Sequence, residues 1–261
     1  MTHRSPAGIA VAGGVRMARA QWCRTFVLAV VAWAVAPAVA SAQQNLFNVP
    51  SGEVTAAERV FFQNQFNVNR LIQSNSTVNY GLGHGFELGL NVFDVPLYNP
   101  ILHASGLSEA IQTPDFLVNG LKSFEITERL NFGVGAQFGL TSPVFDNAVR
   151  PVNFTYGIGS FELPEERGKL YAGLYYANQA YRGRGDPVGI MLGCDIPILP
   201  KKVHFMADFL SGRSDISVAV IGGVIYIPGG LQISVGGQLP GPGTNNGYGA
   251  VIELTYVPKS D

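Results

Sequence analysis

The residues able to do chemistry are few and far apart. The chain has four histidines. His84 sits between Gly83 and Gly85, His103 lies in a long connection, and His204 follows Lys201 and Lys202. No two histidines have the spacing of paired metal ligands. Gly81-x-Gly83-x-Gly85 opens no helical pattern, so it lacks the context a phosphate-binding loop requires. No catalytic, cofactor-binding or metal-ligating constellation is expected, and therefore no enzymatic activity. What remains is a scattered polar set that shares one parity: Glu87, Asn91, Glu125, Asn131, Gln137, Asp195, His204, Asp208 and Glu253, joined by Gln232 and Gln238. Extended strands would turn all of these side chains to one face.

The elements that must position them are strands. Phe86-Glu87-Leu88-Gly89-Leu90-Asn91-Val92 alternates strictly, and Leu130 to Leu140, Leu231 to Leu239 and Tyr248 to Tyr256 do the same. A period of two gives one apolar and one polar face. Twelve strands are expected, at 60–69, 75–83, 86–95, 115–127, 130–141, 152–162, 169–178, 187–198, 203–211, 214–227, 231–240 and 247–257. Their lengths match the roughly 9–11 residues a tilted strand needs to cross a bilayer. Only 54–59 hints at a helical turn.

Composition agrees with dispersed rather than continuous apolarity. Of 261 residues, 47% are hydrophobic and only 13% charged, with 32 glycines. Seventeen basic against 18 acidic residues leave no basic excess for nucleic acid. The start of the chain has the layout of a secretory signal: Arg16, Arg19 and Arg24, an apolar run over 26–36, Pro37, then Ala40-Ser41-Ala42. Residues 1–42 are expected to be removed, leaving one domain over 43–261 with a short lead at 43–59. Four arginines leave with the signal, so 13 basic residues face 18 acidic ones in the mature chain. Cys194 is then the only cysteine, and no intramolecular disulfide is possible.

The connections alternate in length. Those at 83–85, 127–129, 164–168, 199–202 and 228–230 are short, whereas 96–114, 142–151, 178–186 and 240–246 are mostly longer. Short turns at one end and long loops at the other are the asymmetry of a transmembrane barrel. With an even strand count, the first strand starts and the last ends on the short-turn side. The alternating face is poor in charge, and glycines recur within strands, which suits a narrow inner wall better than an exposed soluble sheet. With the signal, the strand pattern and the closing strand 248–257, the mature chain resembles the bacterial outer-membrane β-barrel proteins. It departs from many of them in continuing past Tyr256-Val257 to Pro258-Lys259-Ser260-Asp261. The phospholipases of that class place Ser and Asn after a Gly-His, whereas Gly85-Phe86-Glu87 follows Gly83-His84 here.

The resemblance implies an all-β, antiparallel up-and-down barrel in the cell outer membrane. It would be surrounded by lipid, assembled by the barrel-assembly machinery, and act without cofactor as a passive channel or transporter for small solutes. The polar set above would line the lumen, with Glu87, Glu125, Asp195 and Glu253 near the short-turn mouth. In a pore, carboxylate rings favour cations. Three alternatives stay open. The acids could pair with Lys122, Arg129 or Lys169 in a plugged structural barrel. The loops, with Leu97, Tyr98, Ile101, Leu102 and Leu107 on the longest, could bind a partner. The chain could also be a secreted soluble β-sandwich or lipocalin-like protein. Phe86, Phe124, Tyr171, Tyr226 and Tyr256 are expected in an aromatic girdle. Lys122 shares parity with Phe124, so a bulge near Gly120 is expected to turn it inward.

Overall fold

Alternation over twelve segments produces twelve strands. The computed structural model describes residues 45–69, 72–98, 114–142, 148–244 and 246–257. The signal segment 1–42, His103 with most of the longest loop, and the four residues after Val257 lie outside them. The strands are β1 (Val60–Val68), β2 (Ile72–Gly83), β3 (Phe86–Tyr98), β4 (Asp115–Thr127), β5 (Leu130–Thr141), β6 (Pro151–Glu162), β7 (Lys169–Ala177), β8 (Val188–Leu199), β9 (Val203–Leu210), β10 (Val218–Ile227), β11 (Leu231–Pro240) and β12 (Gly249–Tyr256). Each pairs antiparallel with its sequence neighbours, and β1 closes on β12 with Phe62 opposite Tyr256. The sheet therefore has no edge, and a sandwich is excluded.

Strand parity decides which side chains meet the outside. Phe62, Val78, Leu88, Leu90, Phe116, Val118, Phe138, Leu174, Ile190, Val235 and Leu254 all point outward and are exposed. An apolar surface that continues around the whole molecule far exceeds the patches a soluble protein exposes. Such a surface suits a barrel immersed in lipid, where closing the sheet leaves no unpaired edge strand. Among the described residues no helix is long and apolar enough to cross a membrane. The short connections contain left-handed residues where the chain must reverse within two positions, as at His84 (φ 52°) and Gly85 (φ 72°) between β2 and β3.

Four expectations need correction. There is no bulge at Gly120: β4 keeps continuous register with β3 and β5 there, and Lys122 lies opposite Phe86. Lys122 points outward. Its ammonium donates to the His84 carbonyl and sits 4.2 Å from the Phe86 ring centroid and 5.2 Å from that of Phe124. The stagger of the hairpins explains this. Phe86 begins β3, so Lys122 flanks the rim of the neighbouring turn rather than the middle of the apolar belt, and there an outward lysine costs only about 0–1 kcal/mol. Lys122→Ala is expected to cost about 0.5–2 kcal/mol through lost cation–π contact, read as a lower urea midpoint of the folded barrel.

Tyr171 and Tyr226 are not girdle residues. Both face inward and are buried, whereas Phe86, Phe124 and Tyr256 are exposed outside. Nor do all strand glycines serve the inner wall as expected: Gly157 and Gly159 fall between the inward residues Tyr156, Ile158 and Ser160, so they belong to the outer face. Residues 54–59 form no helix. The helical structure described is a single 3-10 turn (Pro164–Glu166) and one turn of α-helix, α1 (Gln179–Arg182), capped by the Asn178 side chain.

Candidate functional site

The inward faces of the strands build two unlike half-walls. On β1 to β5 the inner residues are mostly polar: Gln63, Gln65, Thr77, Asn79, Glu87, Asn91 and Asn119 are all buried, with Phe61, Leu117 and Leu121 among them. Several of the polar ones bond to one another. Asn119 Nδ2 donates to Asn91 Oδ1 (2.7 Å) and Asn79 Oδ1 (3.0 Å), and Asn79 Nδ2 donates to Glu87 Oε1 (2.6 Å). On β6 to β10 the inner residues are largely apolar or aromatic. Phe154, Tyr156, Ile158, Tyr171, Tyr175, Met191, Met206 and Val220 are buried there. Such a wall inside a barrel needs something apolar to pack against.

That partner is the lead before β1. Leu46, Phe47 and Val49 are almost fully buried and belong to the same apolar cluster. From β1 the chain runs back into the lumen and around its wall. The Thr55 amide donates to Glu87 Oε2 of β3 (2.6 Å). Lys169 of β7 pairs with Glu53. The Asn48 and Val49 amides both donate to Asp208 Oδ2 of β9, the second at 2.9 Å. Asn45 Nδ2 donates to Gln63 Oε1 of β1 (3.0 Å), which completes the circuit. Burial holds the Glu53 carboxyl above its ordinary range, with the Lys169 ammonium opposing that shift.

Inner-wall glycines make room for this segment. A Cβ at Gly193 would lie 2.1 Å from Leu46 Cδ1. One at Gly236 would lie 2.8 Å from the Phe47 ring, and one at Gly133 would lie 2.7 Å from the Gly52 Cα. Real Cβ atoms do not approach so closely, so side chains there would displace the segment. Gly193→Val should therefore destabilise the barrel by roughly 1–3 kcal/mol, the usual cost of overpacking. Adding Leu46→Ala should return part of that loss. Equal urea midpoints for the single and double variants would count against the contact.

The expected polar set sits as follows. Glu87, Asn91, Asp195, Asp208 and Glu253 are buried inside the barrel. Asn131, Gln137 and His204 are half-buried, and Glu125 is exposed beside Asn131 near the short-turn end of β4. Asp195 and His204 meet: Nδ1 lies 2.7 Å from Asp195 Oδ1, while the Tyr226 hydroxyl donates to Oδ2 at 3.4 Å. Gln137 Oε1 accepts from the Tyr181 hydroxyl at 3.4 Å. Tyr181, on α1, stacks on Phe154 at 4.9 Å, so the β7–β8 connection also reaches inward. Burial raises the Tyr181 phenol above its usual range. The acids occupy β3, β4, β8, β9 and β12 rather than one shared ring, and Glu87, Asp195, Asp208 and Glu253 each have a separate partner. Among the described residues no group of three or more histidine, cysteine or carboxylate side chains could hold a metal ion.

No protein-family model and no curated protein matches the chain. Solved structures do match its fold. The KdgM porin in complex with disordered oligogalacturonate aligns with 75% of this chain and 98% of its own, with a TM-score of 0.53 at 7% identity. A second KdgM porin structure aligns over the same shares with a TM-score of 0.52 at 8% identity. The chain has the fold of a porin. A mutant Rh. blastica porin aligns with 70% of this chain and 55% of its own at 11% identity, with a TM-score of 0.37. At the identities of the two KdgM porin structures the likeness is one of barrel fold alone.

The segment 45–57 was the part of the site that sequence pattern did not disclose. Leu46-Phe47-Asn48-Val49 has no strand rhythm long enough to read. A signal was nevertheless present, because inward glycines on β5, β8 and β11 imply that something must fill the space they leave.

Proposed function

We propose that the protein is an outer-membrane channel for small solutes that favours cations, with its lumen narrowed by residues 45–57. The observation that carries this reading is the charge inside a closed porin-type barrel. Glu53, Glu87, Asp115, Asp195, Asp208 and Glu253 are buried or nearly so within it, against Lys169, which is already paired with Glu53. Carboxylates in a low-dielectric channel attract cations and repel anions. The oligogalacturonate named with the KdgM porin is a polyanion, and an acidic lumen gives it no counter-charge. This chain is therefore assigned a different solute class from that neighbour's ligand.

Planar-bilayer recording under a salt gradient tests the proposal. The reversal potential should show cation preference, and joint neutralisation of Glu87, Glu125, Asp195 and Glu253 to their amides should abolish most of it. Added oligogalacturonate should leave the current unblocked. A preference unchanged by the four substitutions, or one for anions, would overturn the reading.

A second reading rests on the lumenal segment itself. A barrel whose interior is packed by Leu46, Phe47 and Val49 could be a closed structural element, as small barrels filled by side chains are. Absence of any single-channel steps from well-folded protein would favour it.

A further inference from the structure

The seam where the barrel closes carries six inward polar residues in a two-by-three grid. Across β11, β12 and β1, register places Ser234, Glu253 and Gln65 on one level and Gln232, Thr255 and Gln63 on the next. Directly opposed side chains on such a face have Cβ atoms about 4.5–5.5 Å apart. All six are buried, and Glu253, Thr255 and Ser234 have no exposed surface at all. Asn45 and Phe47 contact them from the lumen. Asn45 bonds to Gln63. The Gln65 amide, oriented to suit its neighbours, donates to the Phe47 carbonyl (2.9 Å) and to Glu253 Oε1 (3.2 Å).

The grid does not satisfy itself. Among the described residues, both amide atoms of Gln232, the Thr255 hydroxyl and the amide nitrogen of Gln63 are buried with no hydrogen-bond partner, and the second carboxylate oxygen of Glu253 and the Ser234 hydroxyl opposite it make no well-formed bond. Buried polar atoms almost always have partners, so a run of exceptions points to a polar ligand in their midst. Water alone would satisfy the amides and hydroxyls, whereas an ionised Glu253 would keep no counter-charge, because among the described residues no basic side chain pairs with it.

We propose that this grid is a binding site for one partly hydrated monovalent cation, held by Glu253, Thr255, Ser234 and the Gln232 carbonyl oxygen. The donor set decides the class. Every acceptor is a hard oxygen, with no thiolate or imidazole among the four, which selects against transition metals. One carboxylate balances one charge, whereas calcium sites usually gather several. The two glutamine Nε2 groups, useless to a bare ion, hydrogen-bond the waters it keeps. The site is roofed by the lumenal segment, so occupancy would also fasten that segment to the seam. It stands whether or not the barrel conducts.

The folded protein in detergent provides the test. Thermal unfolding, followed by circular dichroism and gel migration, is compared in sodium, potassium and choline chloride at equal ionic strength. The midpoint should rise by several degrees in sodium or potassium relative to choline. Glu253→Gln and, separately, Thr255→Val should each remove most of that difference. Crystals grown with thallium acetate should show an anomalous peak between Glu253, Thr255 and Gln232. Equal midpoints in all three salts with no peak would mean ordered water only and would overturn the site, as would a cation effect that survives both substitutions. Should Glu253→Gln fail to fold, Thr255→Val and the thallium peak decide.

Discussion

A chain lacking residues 45–57 should conduct several-fold more current per open channel than the intact protein. The segment touches β1, β3, β7, β8 and β9 from inside, and its removal empties the space those contacts enclose. It should also weaken the fold. Leu46, Phe47 and Val49 are almost wholly buried, and full burial of such side chains contributes about 1.5–3 kcal/mol each. The apolar half-wall of β6 to β10 would then face water in the lumen. Single-channel conductance and the urea midpoint should therefore move in opposite directions, conductance up and stability down. A second variant guards against a deletion that fails to insert. Replacing Leu46, Phe47 and Val49 by serine keeps the chain length but removes the anchors. Unchanged conductance in both would show that the segment does not lie on the conduction path.

Asp208 is the second point of leverage. Its buried carboxylate accepts from the backbone amides of both Asn48 and Val49, so one side chain holds the turn of the segment against β9. Asp208→Ala should cost about 2–6 kcal/mol, because two backbone donors are left unpaired at about 1–3 kcal/mol each. Asp208→Asn keeps one acceptor oxygen. The acceptor it gives up, Oδ1, makes no hydrogen bond among the described residues, so this variant should lose less than the alanine variant. The same order should appear in channel records, with alanine giving the noisier open state as the segment detaches. Equal urea midpoints for alanine, asparagine and the native residue would show that the carboxylate does not anchor the segment.

Strand positions were legible because a membrane barrel writes its geometry into alternate residues. β4, β5 and β11 span the ranges that alternation alone predicts. Where strand ends differ, something other than the pattern sets them. β2 starts at Ile72 rather than 75, because the polar run Gln73 to Ser76 pairs with β1 without any apolar rhythm to announce it. β10 starts at Val218 rather than 214. There Ser214 and Ser217 are buried in a turn, and Asp215 accepts from the Arg184 amide of the neighbouring connection.

Parity likewise separated inward from outward side chains, but it could not say what the inward ones meet. Tyr171 and Tyr226 have the same types as girdle residues, and only the closed barrel shows that they face the core. Lys122 looked unaffordable on the outer face because its depth depends on hairpin stagger, which no single strand encodes.

The sequence by itself determined the strand positions and the sign of the inner charge, which follow from local period, turn residues and composition; the pairing of β1 with β12, which excludes a sandwich, belongs to the folded barrel. Only the tertiary structure decided what fills it. Residues 45–57 have no repeating pattern, and their contacts lie as far as 160 positions away along the chain. Their place is set by the space that glycines on distant strands leave open, and by carboxylates that meet their amides only after the barrel has closed.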